Sequence, residues 1–157
     1  MSVSSLSISS LDSHASVLIG VFIATVFNHA LAVAAGNFIT KFHSLNTILA
    51  LVYHINYYIT AVTKVLQGEP LNASDKFSFD HPPIQSEEEW QNLLDNTWEG
   101  AEKFATLIEQ LPDSKLWQNF EDGKYGNYYR NIQGIIEHTH YHLGQIVLIK
   151  KLLQQPT

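Results

Sequence analysis

At 157 residues the chain is long enough to bury a core of its own, and we read residues 1–157 as one domain. The absence of cysteine excludes disulfides, thiolate metal sites and a cysteine nucleophile, and fits a reducing cytoplasm. Fifteen acidic against nine basic residues give a net charge of −6, so a basic surface able to release phosphate counterions is not expected, nor a nucleic-acid partner.

In chain order, a serine-rich start leads into a predicted helix over residues 10–27, with Leu11, Ala15, Leu18, Ile19, Phe22, Ile23 and Val26 on its core face. No permanent charge occurs from Ser13 to Thr40. A signal-peptide core would need a Lys or Arg before it, and a membrane span would need about 20 apolar residues, whereas Asn28 and His29 cut this run short. The expectation is therefore no membrane insertion but a helix covered on both sides, by its own bundle and by a second copy in a homodimer. A short helix over residues 30–35 and a loop follow.

A second helix is expected from a cap at Ser44 or Asn46 to Gly68, ahead of Glu69-Pro70. The face bearing His54 also bears Ala50, Leu51, Tyr57, Tyr58 and Ala61, and small residues with tyrosines around a histidine describe a pocket wall. A hydrogen-bonded core histidine is the competing reading of His54 taken alone. Residues 71–85 have no periodicity and exceed the usual length of a helix–helix connection. Phe77 and Phe79 favour a docked cover, with His81 as a secondary site candidate or a plain loop histidine. A third helix opens on the capping box Ser86 and Glu89 and ends at Pro112, with Trp90, Leu93, Leu94, Thr97, Ala101, Phe104, Ala105, Ile108 and Leu111 on its core face. Residues 113–127, with Asp122-Gly123 among aromatic residues, predict a small irregular hairpin in which Trp117, Phe120, Tyr125, Tyr128 and Tyr129 close one end of the fold.

Periodic apolar residues predict the last helix over residues 131–153. His138 and His142 are four apart and stack on one face, where two imidazoles can share a metal ion at about 2.0–2.1 Å per nitrogen. His140 is turned about 200° from each and cannot join them. Gly134 and Gly144 leave space beside the pair. With His54, three neutral imidazoles would leave a coordination position open, as at a catalytic zinc. Nitrogen-only ligation suits zinc, nickel, iron or copper without choosing among them; of these, zinc or nickel is our expectation.

A lone histidine in Leu51-Val52-Tyr53-His54-Ile55 and a last-helix run Gly134-Ile-Ile-Glu-His138-Thr-His-Tyr-His142-Leu-Gly-Gln145-Ile resemble the second-helix and last-helix motifs of the DinB-like superfamily of bacterial four-helix bundles. The likeness covers the chain from about Ser44 onward. With the four periodic segments, it leads us to expect an all-α protein, an antiparallel four-helix bundle with a long connection between helices 2 and 3 and a small irregular insert before helix 4. The resemblance also implies one divalent metal on His54, His138 and His142, and an S-transferase acting on a small-molecule substrate with a low-molecular-weight thiol such as bacillithiol, mycothiol or glutathione. Tyr58, Tyr141 and Gln145 are placed to orient the imidazoles or a ligand. Two alternatives stand beside this. One is a hydrolase using metal-bound water, whose general base would have to be Glu137, pointing about 100° away, or Asp80 or His81 on a folded-over loop. The other is a non-catalytic dimeric metal-binding bundle.

Overall fold

The computed structural model describes residues 46–154. The helix predicted over residues 10–27, the short one over residues 30–35 and the dimer surface built on them lie outside these residues. The described chain is all-α: helices α1 (Ile48–Leu66), α2 (Glu87–Glu109), a one-turn α3 (Asp113–Leu116) and α4 (Tyr128–Leu153). A 3₁₀ turn at Asp75–Phe77 interrupts the α1–α2 connection, and no described helix is long and apolar enough to cross a membrane.

Helix α1 is central, packing against both α2 and α4. Its first five residues, Ile48 to Val52, are all buried, which requires neighbours around the whole circumference. The cap is Thr47, one and three residues after the positions expected, because its backbone is extended (φ −74°, ψ 159°) and its hydroxyl accepts from the Ala50 amide at 3.0 Å. At the other end Gly68 takes φ +89°. The Gly68 amide donates to Val65 O and the Glu69 amide to Lys64 O, each at 3.0 Å, closing the helix as a Schellman motif.

In α2 the Ser86 hydroxyl accepts from the Glu89 amide at 3.1 Å, while Glu89 Oε2 accepts from the Gln85 amide at 2.7 Å. The reciprocal bond of the capping box thus falls one residue earlier than the ideal pattern. Trp90, Leu94, Thr97, Ala101 and Phe104 are buried at alternating steps of four and three, and Leu93, Ala105, Ile108 and Leu111 pack against the same core. Trp98, which the sequence reading left out, joins them.

The predicted hairpin over residues 113–127 is reduced to one antiparallel bridge between Asn119 and Asn127. Short α3 takes up its first residues, and between the bridge partners the chain runs in successive turns, Phe120 O accepting from the Gly123 amide at 2.9 Å and Gly123 O from the Gly126 amide at 3.0 Å, with Gly123 and Gly126 at φ +82° and +84°. Phe120 and Tyr128 do seal the core, ring to ring at 5.2 Å, whereas Trp117, Tyr125 and Tyr129 are exposed. Helix α4 begins three residues before the expected Asn131, because Asn127 Oδ1 accepts from the Arg130 amide at 2.9 Å and caps it there.

Ser86→Ala is expected to lower stability by about 1 kcal/mol and Ser86→Gly by a few tenths of that. Thermal denaturation of the two variants beside wild type checks the order, and equal melting temperatures for Ser86→Ala and wild type would refute the capping assignment.

Candidate metal centre

His54 projects from the middle of α1, and His138 and His142 from successive turns of α4. Packing of α1 on α4 brings the three rings together. His54 Nε2 stands 3.0 Å from His138 Nε2, which stands 3.0 Å from His142 Nε2, and ligand atoms of all three lie within 4.8 Å of one another. Two nitrogens 3.0 Å apart, each about 2.05 Å from a shared ion, subtend about 94° at it, between octahedral and tetrahedral values. Each of these two pairs fits a shared divalent ion, and the three histidines lie close enough together to hold one.

The surroundings hold the rings in place. His142 Nδ1 donates to Gln145 Oε1 at 2.6 Å, and Gln145 Nε2 donates to the Tyr141 hydroxyl at 3.2 Å. This bond puts the proton of His142 on Nδ1 and its lone pair on Nε2, facing the cluster. The Tyr58 ring meets His54 and His138 edge-on at 5.1 and 5.0 Å, and the Phe79 ring stacks on His54 at 3.9 Å and 10°. His54 Nδ1 is buried without a hydrogen-bond partner among the described residues. The Ser78 backbone, which favours the His54 cation, falls short of hydrogen-bond geometry there.

All three imidazoles titrate low. Burial is the first cause in each, and together with the neighbouring His142 and His54, which oppose its charge, it holds His138 down at about 4. His54 is lowered by burial and by His142, with the Ser78 backbone and Asp75 acting weakly against this; His142 is lowered by burial, with Gln145 favouring its cation. Neutral imidazoles are the form that binds metal. Without a metal, the two 3.0 Å contacts need a proton on His138 Nε2 forked between two lone pairs; with one, all three lone pairs point at the cation.

The histidines line a cleft of about 1180 Å³ whose wall includes Tyr58, Asp75, Phe79 and Tyr141 at their end and Lys124, Arg130 and Asn131 elsewhere. His81 is not among the lining residues. It stands against Tyr53 at 5.9 Å, with Nδ1 donating to the Pro82 carbonyl at 3.0 Å, because the connection docks through Ser78 and Phe79 and turns away after them. His140 Nδ1 donates to the Ile136 carbonyl at 2.8 Å, on the exposed side of α4. Glu137 and Asp80 are also absent from the cleft, and the carboxylate that reaches it is Asp75, which accepts a hydrogen bond from the Tyr58 hydroxyl. Asp75, Lys124 and Arg130 went unread in the sequence. The first two lie in segments without periodicity, and only the four-residue step from Arg130 to Gly134 and His138 could have flagged the third.

The chain matches no family model, no curated protein and no solved structure.

His54→Ala, His138→Ala and His142→Ala are each expected to abolish stoichiometric zinc binding by titration calorimetry, with His140→Ala near wild type. Loss of binding in His140→Ala equal to that in His138→Ala would overturn the ligand set. The lowered folded-state values mean that the unfolded chain takes up more protons below its histidine pKa of about 6.5. Metal-free protein should therefore hold full stability above that pH and lose it as pH falls towards 4, a loss that His138→Gln reduces. A melting temperature flat across that window in wild type would contradict burial of neutral rings.

Proposed function

We propose that this chain is a divalent-metal-dependent enzyme of the DinB-like type, a thiol S-transferase in which His54, His138 and His142 hold one zinc or nickel ion. The observation that carries the reading is the convergence of three Nε2 atoms, in contacts of 3.0 Å, on the wall of a cleft large enough for a small molecule. In this reading residues 10–27 complete an antiparallel four-helix bundle and face a second copy of the chain, and the compartment is the cytoplasm.

When bound, the ion would lower the pKa of a coordinated thiol or water and so supply a nucleophile near neutral pH. The protein's part is to present and orient. Burial keeps the imidazoles unprotonated, Gln145 fixes the tautomer of His142, and Phe79 and Tyr58 shield His54 and His138 from water.

One observation favours a second reading. Asp75 lines the cleft beside the histidines, where a carboxylate is placed to take a proton from a nucleophilic water, as a hydrolase requires.

Two assays separate the readings. Zinc- or nickel-loaded protein is expected to conjugate glutathione, mycothiol or bacillithiol with a chlorinated nitroarene or bromobimane, and His138→Ala should lower the rate at least a hundredfold. Asp75→Asn should leave the thiol reaction within a few-fold but abolish ester hydrolysis if the second reading holds. Loaded protein inert in both assays would leave a non-catalytic metal-binding dimer.

A further inference from the structure

Arg130 is the single arginine of the chain, and it lines the cleft together with Lys124. Its stem lies over Gly126, where a β-carbon would stand 3.0 Å from Arg130 Cδ and where φ is +84°. A side chain at that position would push the arginine away, so the glycine lets it run along the wall. Lys124 is placed by its Nζ standing 5.1 Å from the centre of the Tyr125 ring. Neither cation has an acidic partner among the described residues. The nearest carboxylates in sequence are turned to backbone amides, Asp122 to that of Lys124 at 2.9 Å and Glu121 to that of Leu71 at 2.6 Å. In a chain with net charge −6, two cations without an acidic partner among the described residues both line this cleft.

Arg130, Gly134 and His138 follow one another at four-residue steps on α4, and all three line the cleft. The run covers about 12 Å of helix axis. Between its ends, a β-carbon at Gly134 would meet none of the described residues within 4 Å, so among them nothing crowds the helix at that point. We propose that Arg130 and Lys124 form a carboxylate subsite, and that the ligand is an anionic thiol lying along α4 with its acid on these cations and its sulfur at the histidines. The sulfur end rests on the metal reading above; the acid end stands on the cations alone.

The experiment compares 6-mercaptohexanoate with the neutral 6-mercaptohexan-1-ol on zinc-loaded protein by titration calorimetry, in wild type, Arg130→Gln and Lys124→Gln. Both substituted residues are exposed, so the variants should fold. Wild type is expected to prefer the acid by about tenfold or more, the effect of one charge-assisted contact, and the preference should shrink with added salt. Arg130→Gln should cut it to within about threefold without changing the affinity for the alcohol, with a smaller loss in Lys124→Gln. Equal affinities in wild type, a preference that survives both substitutions, or binding of neither thiol would overturn the subsite. Zinc titration of the same samples tests the histidines separately, and hexanoate on metal-free protein tests Arg130 without them. Arg130-dependent binding of hexanoate to a protein that takes no zinc would keep the subsite and remove the metal; zinc binding with no carboxylate preference would do the reverse.

Discussion

The meeting of one imidazole from α1 with two from α4 is the constraint on which the rest of this structure depends. It places three polar rings at a helix–helix contact, with Ile55, Ile135 and Ile146 buried in the same core. Such a contact disfavours the rings as cations, and among the described residues one of their nitrogens, His54 Nδ1, is buried without a partner. Each stands about as low in exposure as the aliphatics or is half covered, and each has its cation disfavoured first by burial. The same burial that makes protonation unfavourable leaves lone pairs for a metal. Stability of the α1–α4 contact and readiness to bind an ion therefore follow from one arrangement.

The long connection after α1 adds to this by being tied down at several points. The Tyr57 hydroxyl donates to Ser74 O at 3.1 Å and accepts from the Ser74 amide at 2.8 Å. The Leu71 amide is held by Glu121, and the Ser78 hydroxyl, itself buried, donates to Asp75 O at 2.8 Å. These bonds let Phe79 lie flat on His54 and bring Asp75 to the cleft. A connection of this length left in solvent would contribute only disorder; pinned along its first half, it becomes one wall of the site.

What was legible in the sequence is what periodicity and capping chemistry encode. The pairing of His138 with His142, the exclusion of His140, the capping box at Ser86 and the glycine stop at Gly68 each follow from spacing or from a backbone requirement that few residues meet. The approach of His54 to that pair needed the resemblance, since eighty-four residues separate it from His138. Features set by tertiary packing were not legible. The start of α1 moved to Thr47, whose backbone is extended and whose hydroxyl takes the Ala50 amide. His81 looked as eligible as any loop residue until the docking of Phe79 turned the chain away from the cleft.

The two glycines of α4 show how one sequence signal splits into two meanings. At both, a β-carbon would meet none of the described residues within 4 Å, and each costs a helix interior about 1 kcal/mol relative to alanine. Only Gly134 lines the cleft. It lies one turn from His138, where a side chain would narrow the space beside the imidazole, so its cost has a functional counterpart. Gly144 lies past His142 on a surface outside the cleft, and the structure gives it no such counterpart. The space beside the histidines thus comes from one glycine of the two, and it opens along α4 in the direction of Arg130.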